Sequence, residues 1–343
     1  MNILYGVQAT GNGHISRSRE IIRNLKGLGH NVFVILSGRD PGLLWEMDDF
    51  MPFKTFQGLT FTTYRGKIRY LRTAMNLNFR QFIKDIRSFD DSEYDLVITD
   101  FEPISSRIAK RHNIPSIGIG HQYAFLYDIP TDGANPMANF IIKNFAPAKY
   151  PIGLHWYHFN KPILPPVVPM FEKAGEKVIG NKIVVYLPFE ELDDIMALIR
   201  PFKEYRFFVY HRLDQSLIEG NLKLCPYSRT GFLADLLECS AVITNAGFEL
   251  VSEALNLGKK ILIKPLAGQM EQLSNAAVIR DLGLGLVMYK LDRRYVERLL
   301  KNPPTAPEKY PDVAAMIAGY IQNGDWDNID KLSKKAWENT NRL

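Results

Sequence analysis

Short apolar segments alternate with amphipathic segments of helical period along most of this chain. Because a strand, a helix and a further strand close as a parallel pair with the helix on one face, this order predicts an α/β fold. The two series of elements predict two doubly wound, Rossmann-like domains. The predicted strands are 2–7, 31–36, 53–57, 94–99, 115–119, 182–187, 206–210, 221–224, 241–245 and 260–264. The predicted helices lie near 14–27, 68–88, 103–112, 190–200, 231–239, 248–257 and 271–281.

A cluster of prolines separates the two series. The segment KPILPPVVPM (161–170) contains prolines at positions 162, 165, 166 and 169. Such a density excludes a regular helix or a central strand and predicts a semi-rigid connector. We therefore expect a first domain at 1–161, a Pro-rich linker at 162–177, a second domain at 178–310 and C-terminal helices at 311–343.

Composition excludes several function classes. The chain has 343 residues and a formal net charge of +5, which is not the footprint of a dedicated nucleic-acid binder. Its two cysteines, Cys225 and Cys239, form no paired motif, so neither a disulfide framework nor a zinc site is predicted. The chain enters a strand at once without a signal sequence, and no apolar run reaches about eighteen residues. These features predict a cytoplasmic protein.

Residues 244–285 carry the most specific pattern of the chain. The strand at 241–245 ends in the small-residue turn Ala246-Gly247, and a helix is predicted from about Phe248. The free N–H groups and the positive dipole end of such a helix face whatever lies above the strand edge. This arrangement suits a diphosphate.

Polar side chains follow that turn at positions that suit a nucleotide-sugar. Glu253 lies about one and a half turns into the helix, where a carboxylate can accept hydrogen bonds from a ribose diol. Glu271, Gln272 and Asn275 begin the next helix, at the edge where the hydroxyl groups of a sugar would lie. An ordinary strand–helix repeat explains the glycines of this segment but not the four polar residues at one edge.

This segment resembles the donor-site signature of GT-B glycosyltransferases, especially of the MurG-like and UDP-glycosyltransferase groups. The resemblance implies two domains that face a cleft, with the nucleotide-sugar in the second domain and the backbone of Phe232 near its base. It also implies that the final helix returns to the first domain. An acidic residue precedes Gln272, which leaves the donor sugar open. The matching residues are Gly247, Ser252-Glu253-Ala254, Gly258, Pro265, Glu271-Gln272 and Asn275-Ala276.

A second constellation follows the strands of the first domain. Gly11, Asn12, Gly13 and His14 come after the first strand, and Asp100 ends the strand YDLVITD. In a doubly wound sheet these two strands are neighbours, so Asp100 is expected to orient His14 as a general base. The arrangement resembles the histidine–aspartate pair of plant-type and antibiotic glycosyltransferases. A capping role for either residue stays open at this point.

His121 closes the fifth predicted strand at the same edge. We interpret it as an alternative base or an acceptor contact, with a hydrogen-bonded core histidine as the other reading. Together with Gly11, Asn12 and Gly13, it is expected on the acceptor or phosphate side of the site.

Residues 65–87 form a basic stretch with apolar residues at helical spacing. One interpretation is docking on anionic lipid, and the other is a core-facing stripe with a solvated basic face. Its basic residues are Arg65, Lys67, Arg69, Arg72, Arg80, Lys84 and Arg87.

These features together predict an inverting, metal-independent transfer of a hexose-type sugar from a nucleotide-sugar, expected to be UDP-linked. The expected acceptor is a lipid-linked or cell-envelope glycan, with possible peripheral contact at the inner face of the membrane. No cofactor is expected besides the nucleotide-sugar co-substrate, and no nucleic-acid partner. The alternatives are a nucleotide-sugar 2-epimerase of the same fold and a catalytically silent nucleotide-sugar-binding subunit.

Overall fold

The computed structural model describes residues 1–44, 46–59, 63–64, 67–68, 78–89, 93–171 and 178–342. Two parallel sheets, each covered by helices on both faces, dominate this part of the chain. The predicted α/β fold with two Rossmann-like domains is therefore confirmed.

The first domain is built on a parallel sheet in the order β3-β2-β1-β6-β7-β8. Its strands, with the short pair β4 and β5, are β1 (Asn2–Gln8), β2 (Asn31–Ser37), β3 (Phe53–Phe56), β4 (Thr63–Tyr64), β5 (Lys67–Ile68), β6 (Leu96–Asp100), β7 (Ser116–Gly120) and β8 (Tyr150–Gly153). Its helices are α1 (Asn12–Gly27), α2 (Phe79–Arg87), α3 (Pro103–His112), α4 (His121–Ala124) and α5 (Pro136–Asn144). Apart from Asn2, every residue of the central strands β1 and β6 is buried, because both faces of the sheet are covered.

The strand order of this sheet reverses between β1 and β6. β1 pairs with β2 on one side and with β6 on the other, and Val7 lies opposite Asp100. The carboxyl ends of β1 and β6 thus meet where α1 begins. Open α/β sheets bind ligands at such a switch point.

The second domain repeats this arrangement in the order β11-β12-β10-β9-β13-β14-β15, with only β11 antiparallel to its neighbour. Its strands are β9 (Ile179–Tyr186), β10 (Arg206–Tyr210), β11 (Leu217–Glu219), β12 (Leu222–Cys225), β13 (Cys239–Asn245), β14 (Lys260–Lys264) and β15 (Leu286–Val287). Its helices are α6 (Leu192–Ile199), α7 (Arg229–Glu238), α8 (Phe248–Asn256), α9 (Met270–Asp281) and α10 (Arg293–Lys301). The helix α8 starts at the switch point between β9 and β13.

The C-terminal segment lies against the first domain. It contains β16 (Glu308–Lys309), α11 (Val313–Asn323), α12 (Ile329–Glu338) and β17 (Asn341–Arg342). Helix α11 packs on α1, and Ser333 and Trp337 of α12 both donate to the carbonyl oxygen of Ile163, at 2.8 and 2.7 Å. These contacts have the form that the GT-B resemblance implies, while the domain boundaries given above stay predictions.

Some elements differ from the sequence-based expectation. The helix expected near 68–88 begins at Phe79, because the side chain of Asn78 accepts a hydrogen bond from the amide of Gln81 and so caps it. Residues 69–77 lie outside the described part of the chain. The elements β8, α5 and α10 were not among those predicted. Within the described ranges, no helix combines the length and apolarity needed to cross a membrane.

Candidate active site

His14 and Asp100 form a hydrogen-bonded pair at the switch point of the first sheet. The Nδ1 atom of His14 lies 2.7 Å from Oδ1 of Asp100. Asp100 is fully buried, whereas 16 % of the His14 side chain is exposed. Because Nδ1 faces the carboxylate, Nε2 is the ring nitrogen left for a reacting group.

Arg17 and Ser18 hold the carboxylate of Asp100 from the same helix. Arg17 donates through Nε to Oδ2 at 3.0 Å and through Nη2 to Oδ1 at 2.5 Å, and the Ser18 hydroxyl donates to Oδ2 at 2.8 Å. Burial pushes the pKa of Asp100 upward, but the charges of Arg17 and His14 outweigh it and hold the pKa at about 2. Asp100 is therefore an ionised, fully hydrogen-bonded carboxylate at neutral pH.

The glycine turn before His14 brings α1 against the second domain. A Cβ at Gly13 would lie 2.8 Å from Cγ of Glu249, in the first turn of α8. A Cβ at Gly11 would meet only the ring of His14, at 3.9 Å. Gly13 is thus required by contact between the domains, whereas the surface at Gly11 is open.

Helix α8 presents an uncapped N-terminus at the same place. Its N-cap residue Gly247 has φ −71° and makes no side-chain cap, and a Cβ there would meet no atom within 4 Å. The preceding residue, Ala246, is fully buried and donates its amide to the carbonyl of Lys264 at 3.3 Å. The backbone of Gly247 is conformationally ordinary, so what distinguishes this position is the open space in front of it.

Glu253 points at the first domain rather than into solvent. Its Oε1 accepts a hydrogen bond of 2.9 Å from the hydroxyl of Ser16 on α1, and the side chain is almost fully buried. Burial raises the pKa of Glu253 to about 7, with Ser16 and Arg229 opposing the shift. The carboxylate expected to receive a ribose hydroxyl thus holds a serine hydroxyl in this structure.

Asn275 and His121 join the two domains deeper in the interface. Nε2 of His121 lies 2.7 Å from Oδ1 of Asn275, and Nδ1 lies 2.9 Å from the carbonyl oxygen of Leu154. The His121 ring stacks on Phe248 at 4.1 Å, and Asn275 donates to the carbonyl oxygen of Ala246 at 2.9 Å. Burial lowers the pKa of His121. Both ring nitrogens are engaged, which fits the interpretation of His121 as a hydrogen-bonded core histidine better than that of an acceptor contact.

The expected acidic-Gln pair is divided between two tasks. Glu271 is half-buried. Its carboxylate accepts a hydrogen bond of 3.0 Å from the side-chain amide of Gln122 in the first domain. Gln272 is buried, and its Oε1 accepts from the backbone amide of Leu266 at 3.0 Å. Glu271 therefore faces the cleft, whereas Gln272 holds the loop after β14.

Aromatic side chains line the second-domain side of the cleft. Phe232 packs edge-on against Tyr186 and Tyr210, with ring centroids 5.7 and 4.9 Å away. The amide of Phe232 donates within α7 to the carbonyl oxygen of Ser228 at 3.0 Å. The helix therefore already uses this N–H group, and the expected contact of a base with the backbone of Phe232 stays a prediction.

Asn12 spans the cleft beside that cluster. Its amide nitrogen donates to the hydroxyl of Tyr186 at 3.2 Å, and its Oδ1 accepts from Arg39 at 2.9 Å. The turn after β1 thus meets the carboxyl end of β9. No group of three or more metal-ligating His, Cys, Asp or Glu residues occurs among the described residues.

The family of the chain follows from comparison with known proteins. A sequence model for the family described as glycosyl transferase family 1 matches residues 1–304. The chain belongs to glycosyl transferase family 1. It is therefore a glycosyltransferase. A search of curated proteins found no significant match.

Several solved structures similar to this chain are described as glycosyltransferases. The glycosyltransferase SsfS6 of Streptomyces sp. SF2575, complexed with thymidine diphosphate, is 14 % identical with TM-score 0.62, over 94 % of this chain and 99 % of that one. The glycotransferase of kitacinnamycin is 13 % identical with TM-score 0.60, over 98 % and 97 %. The spinosyn rhamnosyltransferase SpnG is 12 % identical with TM-score 0.57, over 98 % and 97 %. These similarities show that this family 1 chain has the GT-B fold.

Several site residues of this glycosyltransferase were not predicted from its sequence. Arg17 lies three residues after His14 and therefore on the same face of α1, which is a spacing that sequence reasoning can use. Glu249 lies in the first turn after Gly247. For Ser16, Gln122 and Tyr186 no sequence signal exists, because their partners belong to the other domain.

Proposed function

We propose that this glycosyltransferase moves a hexose-type sugar from a nucleotide-sugar to an acceptor hydroxyl with inversion and without a metal ion. The observation that carries the proposal is the His14–Asp100 pair next to the open N-terminus of α8 at Gly247. The contact of Gly13 with Glu249 brings these two features together. A base and an anion-binding helix end are what direct displacement of a diphosphate requires.

The reaction follows from this placement. The acceptor oxygen attacks the anomeric carbon while Nε2 of His14 takes its proton, and Asp100 stabilises the imidazolium through Nδ1. The bond between the anomeric carbon and the phosphate oxygen breaks, and the nucleoside diphosphate leaves with the bonding electrons. The amides and dipole of α8 stabilise the negative charge that develops on the leaving group.

The donor lies on the second domain in this proposal. The diphosphate occupies the space before Gly247, the ribose binds Glu253 and the sugar lies near Glu271. Asn275 and Gln272, also expected to bind the donor, shape this wall through their hydrogen bonds with His121 and Leu266. For ribose to bind, its hydroxyl must replace that of Ser16 on Glu253.

A UDP-linked donor is the first choice and a thymidine diphosphate donor the second. The structural relative SsfS6 is described in complex with thymidine diphosphate. Tyr186 and Phe232 are both partly exposed and offer aromatic surface for either base. The nucleotide panel described below distinguishes between the two bases.

The acceptor lies on the first domain. A cavity of about 420 Å³ opens at the carboxyl ends of β2 and β3. Arg39 on its wall donates to Asn12, two residues before His14. In this proposal, an acceptor held there presents its hydroxyl to His14. The other lining residues are Gly38, Asp40, Pro41, Thr55, Phe56 and Gln57.

We propose a lipid-linked or cell-envelope acceptor, as in MurG-like enzymes, because α2 has an apolar and basic exposed face. Phe79 and Ile83 are 55 % and 47 % exposed, and Arg80, Lys84 and Arg87 surround them. Apolar side chains ringed by cations suit the surface of an anionic membrane. The other half of the basic stretch, with Arg65, Arg69 and Arg72, lies outside the described residues.

A nucleotide panel tests the proposal. A ligand that binds only the folded state raises its stability by RT ln(1 + [L]/Kd). We expect UDP or thymidine diphosphate at millimolar concentration to raise the melting temperature, whereas GDP does not. The stabilising nucleotide is then supplied as sugar donors with acceptor mixtures, and release of nucleoside diphosphate is measured. Binding without release across the panel would contradict transfer and favour the silent subunit. Conversion of the donor to its 2-epimer would favour the epimerase.

A further inference from the structure

Arg17 connects two carboxylates that belong to different domains. Its Nε and Nη2 atoms hold Asp100, and its Nη1 atom donates to Oε1 of Glu249 in the first turn of α8. Arg17 and Glu249 are 2 % and 6 % exposed, and Asp100 is fully buried. A planar guanidinium that makes such forked contacts fixes the orientation of the carboxylates that it binds. Through Arg17, the carboxylate behind His14 is tied to the donor domain.

Two glycines leave the space that this contact needs. A Cβ at Gly13 would lie 2.8 Å from Cγ of Glu249, and one at Gly120 would lie 3.2 Å from Nη2 of Arg17. Neither distance is compatible with an undisturbed side chain. The second glycine of the turn before His14 thus serves the contact between Arg17 and Glu249.

The position of Glu249 adds a charge argument. Its carboxylate lies in the first turn of α8, two residues after Gly247, where the diphosphate is proposed to bind. An unpaired carboxylate there would repel that ligand. Arg17 neutralises this carboxylate only when α1 and α8 are in contact. The ion pair between Arg17 and Glu249 therefore forms only when the two domains are closed on each other.

We propose that Arg17 is a positioning residue that makes the alignment of His14 and Asp100 depend on closure of the second domain through Glu249. This inference rests on the proposed function, in which His14 takes the acceptor's proton. When the domains separate, Arg17 loses its contact with Glu249. Its guanidinium is then less firmly oriented, and so is the carboxylate of Asp100 that it binds. His14 is then aligned as a base only when the donor site is closed. This dependence limits hydrolysis of the donor by water.

A double-mutant cycle tests this coupling. The variants are Arg17→Lys, Glu249→Gln and the two combined, with Arg19→Lys as control, since Arg19 is equally buried on α1 but pairs with Asp49 of its own domain at 2.5 Å. We expect each single change to lower kcat about tenfold with donor KM within about threefold, and the combined variant to fall no more than about threefold below the worse single one. Arg17→Gln should be worse than Arg17→Lys. Losses that multiply in the double variant, or an unchanged kcat in Glu249→Gln, would overturn the coupling.

A second readout does not require any turnover. Hydrogen exchange at the first turns of α1 and α8 reports the contact directly, and we expect it to accelerate about tenfold in Glu249→Gln but not in Arg19→Lys. Equal exchange in wild type and Glu249→Gln would overturn the coupling even if the enzyme is active. If the wild type released no nucleotide from any donor while exchange accelerated as expected, the proposed function would fail and the domain contact would stand.

Discussion

The Nδ1 atom of His14 lies 2.7 Å from Oδ1 of Asp100, which is 86 residues later in the chain. Parallel pairing of β1 with β6 creates this contact, since it places Val7 opposite Asp100 and the start of α1 directly above both strand ends. The pair therefore depends on the topology of the sheet. We propose that the pair acts as the catalytic base and its orienting carboxylate.

Asp100→Asn should remove the charge that stabilises the imidazolium while keeping the size of the side chain. We expect kcat to fall by about 10²-fold or more, with donor KM nearly unchanged, because general-base catalysis contributes on this scale. Asp85→Asn is the matched control, since Asp85 is also buried in the first domain but bonds to Gln81 of its own helix. Steady-state kinetics of both variants decide the point, and a kcat of Asp100→Asn within threefold of wild type would contradict the role.

Gly247→Ala should affect ligand binding and not folding. A Cβ at this position meets no protein atom within 4 Å and the φ angle suits any residue, so the melting temperature should stay unchanged. A methyl group in the proposed diphosphate space should raise donor KM about tenfold or more, a loss of about 1.4 kcal/mol. Gly27→Ala, which also meets no atom within 4 Å, is the control at the far end of α1. Normal donor KM in Gly247→Ala would place the diphosphate elsewhere.

Glu253 should give the stability of the enzyme a pH dependence near neutrality. Burial raises its pKa from the ordinary 4.5 to about 7, so the folded state holds the proton more tightly than the unfolded chain. This contribution is fully present below about pH 4.5 and is lost as the pH rises to about 7. Between pH 5 and 8 the melting temperature of wild type should therefore decrease relative to that of Glu253→Gln. Glu297→Gln, at an exposed pair with Lys301, serves as control, and parallel curves for wild type and Glu253→Gln would contradict the raised pKa.

The exposed face of α2 should bind anionic membranes. Phe79→Ser combined with Ile83→Ser should lower affinity for phosphatidylglycerol vesicles about tenfold or more, because each buried apolar side chain contributes about 1.5–3 kcal/mol. Ile218→Ser is the control, since Ile218 is 72 % exposed on β11 of the other domain. Sedimentation with vesicles measures the difference. Equal binding of the double variant and wild type would leave α2 as an ordinary solvated helix.

The sequence predicted the fold well because the periodicities of its strands and helices are strong and its central strands are mostly apolar. It also predicted that Asp100 and His14 are neighbours, since a doubly wound sheet allows few strand orders. The sequence also predicts the glycine turns as places of ligand approach. For Gly247 this stays a prediction, whereas Gly13 is explained by its contact with Glu249.

The contacts between the domains could not be predicted from the sequence. Ser16 with Glu253 and His121 with Asn275 join residues more than 150 positions apart whose proximity depends on how two separate sheets meet. No periodicity encodes that orientation. The hydrogen bond of the Phe232 amide has a local reason, because α7 begins early enough to use that N–H group itself.

The account depends most on His14 as the group that takes the acceptor's proton. The direct test measures release of nucleoside diphosphate by wild type and by His14→Ala at saturating donor and acceptor, together with calorimetric binding of the donor to both. We predict that His14→Ala binds the donor with unchanged affinity and that its kcat falls by about 10²–10⁴-fold. A variant that turns over at the wild-type rate would contradict the account.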